Sequence, residues 1–127
     1  MISTIGAIAL GGALGAVLRH SVNVAALKFF GDGFPWGTLS VNVLGSFIMG
    51  LLIAVFAHYW QPNPAVKMFL ITGFLGAFTT FSAFSLDVSV LYERGALAPA
   101  AGYVIGSVVL SIGALFLALV LVRSFAA

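Results

Sequence analysis

The stretch that decides the fold of this chain covers residues 73–85 and reads Gly73-Phe74-Leu75-Gly76-Ala77-Phe78-Thr79-Thr80-Phe81-Ser82-Ala83-Phe84-Ser85. It lies inside a long apolar segment, yet it contains two glycines, two threonines and two serines. Glycine beside paired threonines weakens a helix and lets backbone carbonyls leave the helical hydrogen-bond ladder. Non-helical backbone at membrane depth is tolerated only where protein buries it or where it lines a polar cavity. The stretch therefore predicts a broken helix at an ion site or a permeation route.

The composition is that of a protein whose solvent is lipid. Of the 127 residues, 62% are hydrophobic and 6% are charged, which is far less charge than a soluble domain of this size needs. We expect one domain, residues 1–127. The chain has no cysteine, which excludes disulfides and thiolate metal sites, and its net charge of +2 includes no basic run that would bind nucleic acid. The first four residues lack the positive region of a signal peptide, so we expect the first helix to be retained.

Four apolar segments are long enough to cross a bilayer, which takes about 20 residues per helix. The predicted spans are residues 3–29, 36–58, 66–92 and 98–123. Glycine and proline break the chain between them, and Trp36, Tyr59 and Trp60 stand at span ends, where amphipathic rings prefer the membrane interface. The predicted fold class is therefore an all-α membrane protein with four transmembrane helices per subunit and a broken third helix.

The basic residues give almost no orientation signal. An even number of spans places both termini on one side, together with Lys67 and Arg123. The opposite side has Lys28 and Arg94, and also Arg19 if that side chain reaches out. Because Lys/Arg bias sets orientation, this balance favours dual topology, in which the same chain inserts both ways and pairs antiparallel. A weak bias that still yields one orientation is the alternative.

Polar side chains share one face of the second span, where Thr38, Asn42 and Ser46 recur at four-residue spacing. The Asn42 amide needs hydrogen-bond partners in hydrocarbon. One interpretation is interhelical hydrogen bonding, which asparagine and serine often provide. The other is that its NH2 donors face a passing anion.

Phenylalanines at helical spacing in the third span usually indicate packing. Here Phe81 and Phe84 flank Ser82, and the positive edge of an aromatic ring attracts an anion weakly. The two rings are therefore candidates for lining an anion path opposite the second span.

A polar stripe also runs along the fourth span, at Tyr103, Ser107 and Ser111. Serine hydroxyls in helices often donate to their own helix four residues back. Alternatively, this stripe completes a hydroxyl-lined route with the third span.

Few charges lie within the spans. Arg19 lies in the first span, where it either snorkels to the interface or raises the local anion concentration at a vestibule. The first two spans contain no carboxylate, which argues against proton-coupled transport. Since no nucleophile–base pair is evident either, enzyme activity is not expected.

These residues resemble the Fluc fluoride channels, also called the CrcB fluoride-export proteins, from about residue 12 to residue 111. The most specific match is the stretch at residues 73–85. The other matching motifs are Gly12-x-x-Gly15-Ala16-x-x-Arg19, Trp36-Gly37-Thr38-Leu39-x-Val41-Asn42-x-x-Gly45 and Tyr103-x-x-x-Ser107.

The resemblance implies a dual-topology antiparallel homodimer in a bacterial inner membrane. It implies two narrow pores per dimer that pass fluoride passively out of the cytoplasm and reject chloride. A structural sodium ion at the dimer centre would be held by the backbone carbonyls of Gly76 and Thr79 from both subunits. Arg19 corresponds to an arginine near the pore entrance. The expected pore lining consists of Thr38, Asn42, Phe81, Ser82, Phe84, Tyr103 and Ser107.

Two positions depart from the family pattern. Ala83 stands where many members have threonine, so one hydroxyl of the polar track is missing, and Asp87 stands where glutamate is common. Two other functions remain open. One is a small proton-coupled multidrug-type exporter, and the other is a structural membrane subunit that transports nothing.

Overall fold

A computed structural model describes residues 2–126, and these form four membrane-length helical spans without any strand. The third span, Pro64–Glu93, consists of four pieces. In chain order the elements are α1 (Ile2–Phe30), α2 (Trp36–His58), α3 (Pro64–Met68), a π-helical segment π1 (Phe69–Leu75), α4 (Gly76–Phe78), α5 (Phe81–Glu93) and α6 (Leu97–Ala126). The predicted all-α membrane fold with a broken third helix is confirmed.

The loops between spans are short because local signals end the helices sharply. Gly95 adopts φ 78° after α5, a conformation that favours glycine. There, Ala96 N–H donates to the Leu91 carbonyl and Gly95 N–H to the Tyr92 carbonyl, which is a Schellman motif. At the other end of the third span, the Asn63 side chain accepts from Val66 N–H and Pro64 follows the cap.

The helices pack in two main pairs. α2 lies chiefly against α6, while α1 lies against π1 and α4. The α1 contact is backbone to backbone, because a Cβ at Gly15 would overlap the Phe74 carbonyl oxygen and a Cβ at Gly11 would overlap that of Phe69. Close approach through small residues is the usual way that helices associate in lipid. It brings the middle of α1 next to the break in the third span.

The buried core is small and lies on both sides of that break. One cluster contains Val41, Leu75 and Phe78, and the other contains Phe84, Leu91, Ala100 and Tyr103. Most other apolar side chains on the four spans are exposed in the single subunit. Such a surface is stable when lipid or another protein covers it.

Candidate ion site at the broken third helix

The third span is interrupted at Thr79 and Thr80. Thr79 has φ −87° and ψ 160°, and Thr80 has φ −156° and ψ 119°, so both residues are extended between α4 and α5. A break of this kind leaves carbonyls at the end of α4 and N–H groups at the start of α5 without helical partners. The π-helical segment comes directly before α4, and π-helical turns are frequent at functional sites.

The Asn42 side chain bonds to both backbone groups of Thr80. Its Oδ1 accepts the Thr80 N–H at 2.8 Å, and its Nδ2 donates to the Thr80 carbonyl at 3.0 Å. Two of the contacts of Asn42 are therefore hydrogen bonds between spans, as one of the two interpretations of this residue expected. The second Nδ2 hydrogen has no protein acceptor among residues 2–126, and Asn42 lines a cavity beside the break. This hydrogen remains available to a ligand.

Arg19 reaches the same break from α1. Its Nε donates to the Ala77 carbonyl oxygen at 2.9 Å, and the side chain is half-buried. The guanidinium therefore does not snorkel to the interface. It stabilises the carbonyl end of α4, where a cation is favourable. Arg19, predicted to lie at a vestibule, is thus bonded to the residue that directly follows Gly76.

The Thr80 side chain caps α5. Its Oγ1 accepts from Ala83 N–H at 3.1 Å, which is the usual N-cap geometry. In a continuous helix, Thr80 N–H would donate to the Gly76 carbonyl and Ala83 N–H to the Thr79 carbonyl. Both N–H groups are bonded to side chains instead. The two carbonyls predicted to hold sodium have thus lost their helical donors, and such neutral oxygens suit a hard cation.

A cavity of about 350 Å³ opens beside the break. Hydrogen-bonding side chains line it from three spans, namely Asn42, Ser46, Thr79, Thr80, Ser107 and Ser111, together with the rings of Phe81 and Phe84. The hydroxyls of Ser107 and Ser111 are buried and have no protein partner among the described residues. They do not donate to their own helix, so the polar stripe of α6 offers free donors to this first cavity.

A second cavity, of about 310 Å³, is lined by residues of α1, the loop after it, α2 and α5. Its polar lining comes from Asn23, Asp32, Thr38, Asp87 and Arg94. Arg94 Nη1 also donates to the Asp32 carbonyl at 3.3 Å, which ties the first loop to the turn after α5. Since Thr38 and Asn42 are one turn apart on α2 and line different cavities, the two cavities follow one another along that helix.

Aromatic rings lie between the two cavities, since the Tyr103 ring packs on Phe84, which lines the first, and on Phe34, which lines the second. The Phe84 ring lies 5.0 Å from that of Tyr103 and 5.5 Å from that of Phe81, measured between centroids. Tyr103 is almost completely buried, and its hydroxyl donates to Asp87 Oδ2 at 2.9 Å. Phe81, in contrast, is 78% exposed in the single subunit. The rings thus form a layer that is closed at Tyr103 and open at Phe81.

The structure brings most, though not all, of the predicted site residues together. Asn42, Phe81, Phe84 and Ser107 line the first cavity, and Thr38 lines the second. Tyr103 lies between the two cavities. Ser82 is exposed and lines neither, and its Oγ lies 3.4 Å from Thr80 Oγ1. Among the third-span serines, Ser85 and Ser89 donate to their own helix.

Three features of the site were not predicted. They are the Thr80 cap, the Arg19 bond to Ala77 and the presence of Asn23 and Arg94 in the lining of the second cavity. The cap had a sequence signal, because threonine immediately before a helical run is a preferred N-cap. The other two depend on how distant segments pack, and sequence spacing has no signal for that. No cluster of histidine and acidic residues able to hold a metal occurs in residues 2–126.

Fold and site together define a small multi-pass membrane protein with a polar, hydroxyl-lined break within its spans, a feature of ion-conducting and transporting proteins. The chain belongs to the family described as CrcB-like protein, Camphor Resistance (CrcB), whose profile matches residues 6–119.

Relatives from several bacteria are similar along nearly their whole length. A protein of Rhodospirillum centenum named fluoride-specific ion channel FluC is 52% identical over 93% of this chain and 94% of its own length. A protein of the same name from Chelativorans sp. is 54% identical over 92% of this chain and 94% of its own length. Another from Cereibacter sphaeroides is 51% identical over the full length of both chains.

Proposed function

We propose that this chain is a passive, fluoride-selective channel of the bacterial inner membrane through which fluoride leaves the cytoplasm. The observation that carries the proposal is its similarity, at about half identity along more than nine-tenths of both chains, to proteins named fluoride-specific ion channel. It is a membrane transport protein and not an enzyme.

The first cavity supplies the chemistry that a small, strongly hydrated anion requires. Dehydration of fluoride has to be offset by hydrogen-bond donors, and Asn42, Ser107 and Ser111 each offer one that has no protein acceptor. All three groups are neutral. A neutral donor holds an anion without trapping it, which rapid conduction requires. The ring edges of Phe81 and Phe84 add a weak attraction along the same wall.

The lining of the first cavity favours passive movement over coupled export. None of the side chains that surround it is a carboxylate, a histidine or a lysine. A proton-coupled exporter needs a titratable group in its route near the middle of the membrane. This supports a channel over the multidrug-type alternative.

We further propose that two copies associate antiparallel and form two pores. Three observations support this arrangement. The first cavity is open on the outside of the subunit, where its lining residue Phe81 is exposed. Arg19 is turned inward, so the orientation count is two basic residues on each side. In an antiparallel pair, breaks halfway along the spans would meet at the centre.

The same arrangement accommodates a structural sodium ion. Gly76 and Thr79 of each subunit would hold it through their backbone carbonyls, which have lost their helical N–H donors. When bound, the cation supplies positive charge that offsets the carbonyl dipoles and links the two subunits.

Fluoride efflux from liposomes tests the channel. Purified protein is reconstituted in vesicles loaded with potassium fluoride, and external fluoride is followed with a selective electrode after valinomycin is added. We expect fast release that requires valinomycin and no release of chloride from matched vesicles. Ser89→Ala serves as the control, because that exposed hydroxyl bonds only to Leu86 of its own helix. Release without valinomycin contradicts a passive, charge-carrying channel.

Accessibility of a single cysteine tests the topology. Since the natural chain has no cysteine, Ser124→Cys near the exposed end of α6 provides a unique label site. A membrane-impermeant maleimide should label about half of the molecules from outside sealed inner-membrane vesicles and the rest only after permeabilisation. Labelling of all molecules from one side contradicts dual topology.

A further inference from the structure

The Asn42 amide forms hydrogen bonds to Thr80 that backbone groups would form in an unbroken helix. Its Oδ1 takes the Thr80 N–H, which is the group that would otherwise donate to the Gly76 carbonyl. Its Nδ2 holds the Thr80 carbonyl, so the residue is fixed in its extended conformation from both sides. The freedom of the Gly76 carbonyl is therefore a consequence of the Asn42 contact.

The Thr80 side chain replaces a second helical acceptor in the same way. Its Oγ1 takes the Ala83 N–H, the helical donor for the Thr79 carbonyl. Thr79 itself is turned by its own side chain, whose Oγ1 donates to the Leu75 carbonyl at 2.9 Å. Two side chains, Asn42 and Thr80, thus release the two carbonyls of the proposed cation site.

We infer that Asn42 is a positioning residue for the cation site, in addition to being a donor toward the anion. The inference rests on the sodium site of the proposed function. One amide then serves both ions. The pair of bonds to Thr80 fixes which amide atom is oxygen and which is nitrogen, and so directs the remaining N–H toward the first cavity.

The positioning role predicts effects on sodium binding that a pure anion donor would not show. Asn42→Ala removes both bonds and lets Thr80 N–H return to the Gly76 carbonyl. Asn42→Asp keeps an oxygen that accepts the Thr80 N–H, the bond that frees the Gly76 carbonyl, but it loses both Nδ2 hydrogens, the one on the Thr80 carbonyl and the one toward the cavity, and it adds negative charge. The alanine variant should therefore weaken sodium binding, whereas the aspartate variant should retain it and still lose fluoride flux.

Sodium-dependent thermal stability of the purified dimer measures this directly. Sodium replaces N-methylglucamine at constant ionic strength, and the concentration that gives half of the full stabilisation is recorded without fluoride. For Asn42→Ala that concentration should rise about tenfold or more, as expected for one or two lost hydrogen bonds. For Asn42→Asp it should stay the same or fall. Thr80→Val, which removes the Ala83 cap at similar volume, should shift it in the same direction as the alanine variant.

Asn63→Ala is the matched control. It deletes the same amide, also bonded to a backbone N–H, at the start of α3 and away from the break. It should lower overall stability and leave the sodium midpoint unchanged, which separates general destabilisation from loss of the cation site.

Two results would overturn the inference. If Asn42→Ala and Thr80→Val fold and keep the wild-type sodium midpoint, Asn42 acts on the anion alone. If the wild-type dimer conducts fluoride but shows no response to sodium, the cation site and this role both fail while the channel function stands. If Asn42→Ala does not fold, Asn42→Asp decides, because it keeps the acceptor for the Thr80 N–H: a large rise in its sodium midpoint would overturn the inference.

Discussion

Tyr103 and Asp87 are joined across α5 and α6 by a hydrogen bond of 2.9 Å from the tyrosine hydroxyl to Oδ2 of the aspartate. Tyr103 is 1% exposed and lies between the two cavities, while Asp87 lines the second cavity. A phenol has one hydrogen to donate. The Tyr103 hydroxyl therefore serves either Asp87 or an anion that passes between the cavities, but not both at once.

Tyr103→Phe should reduce fluoride flux roughly tenfold, because it removes a donor worth about 1.4 kcal/mol at the layer between the cavities. The aromatic packing against Phe84 and Phe34 is kept, so the dimer should remain folded. The measurement is the initial rate of efflux from potassium-fluoride liposomes at equal protein density. Wild-type flux in this variant would make the Tyr103–Asp87 bond a structural link only.

Phe84→Ile should lower flux strongly, because a branched alkyl group has no positive edge to offer an anion. Phe84 is nearly buried against Tyr103, so some loss of thermal stability is expected as well. Both efflux and the melting temperature of the dimer are measured on the same preparation.

Phe74→Ile is the control for packing. Phe74 lies in the same span and stacks on Phe78 at 5.9 Å, away from both cavities. The Phe74→Ile variant should have a lower melting temperature than the wild type but the same fluoride flux per folded dimer. If the two variants lose flux equally, the ring at position 84 acts through packing and not through its edge.

Ser107→Ala should stabilise the protein while it lowers flux. The Ser107 hydroxyl is buried and has no protein partner within residues 2–126, and a buried unsatisfied hydroxyl costs about 1–3 kcal/mol. A stability gain that accompanies a functional loss indicates a group retained for a ligand. Thermal unfolding of the dimer and fluoride efflux together check the prediction. Lower stability in the alanine variant would mean that the hydroxyl has a partner in the dimer.

The serines show how far the sequence could predict the site. Ser85, Ser89, Ser107 and Ser111 are the same residue type in similar apolar helices, yet the first two bond to their own helix and the last two do not. The hydroxyl rotamer depends on what lies opposite, so the two interpretations of the α6 stripe could not be separated by spacing. The position of the break was predictable because its signal, glycine beside paired threonines, is local.

The contacts of Arg19 and Asn42, in contrast, could not be predicted from the sequence. Asn42 was expected to need a partner, but which group it would find depends on the depth at which α2 lies beside the break. Arg19 meets Ala77 only because α1 approaches the third span at backbone distance. Sequence patterns identify the glycines that permit such an approach, but they do not specify the contacts that follow from it.

Gly15→Ala should disrupt this approach and with it the site. A Cβ at position 15 would overlap the Phe74 carbonyl oxygen and lie 3.0 Å from the Phe78 amide nitrogen, and neither backbone atom can move without shifting the whole span. Displacing α1 would also withdraw Arg19, one turn further along, from the Ala77 carbonyl. We expect a loss of about 1–3 kcal/mol in stability and little fluoride flux.

Gly12→Ala provides a close comparison on the same helix, because its added Cβ would meet only the Gly73 carbonyl oxygen at 3.9 Å, an ordinary contact. Alanine is also the better helix former, so this variant should match or exceed the wild type in dimer stability and keep its flux. The melting temperature and the yield of dimer by size-exclusion chromatography are compared for both variants. If Gly15→Ala behaves like Gly12→Ala, α1 does not need the close contact to hold Arg19 at the break, and the packing account of the site is wrong.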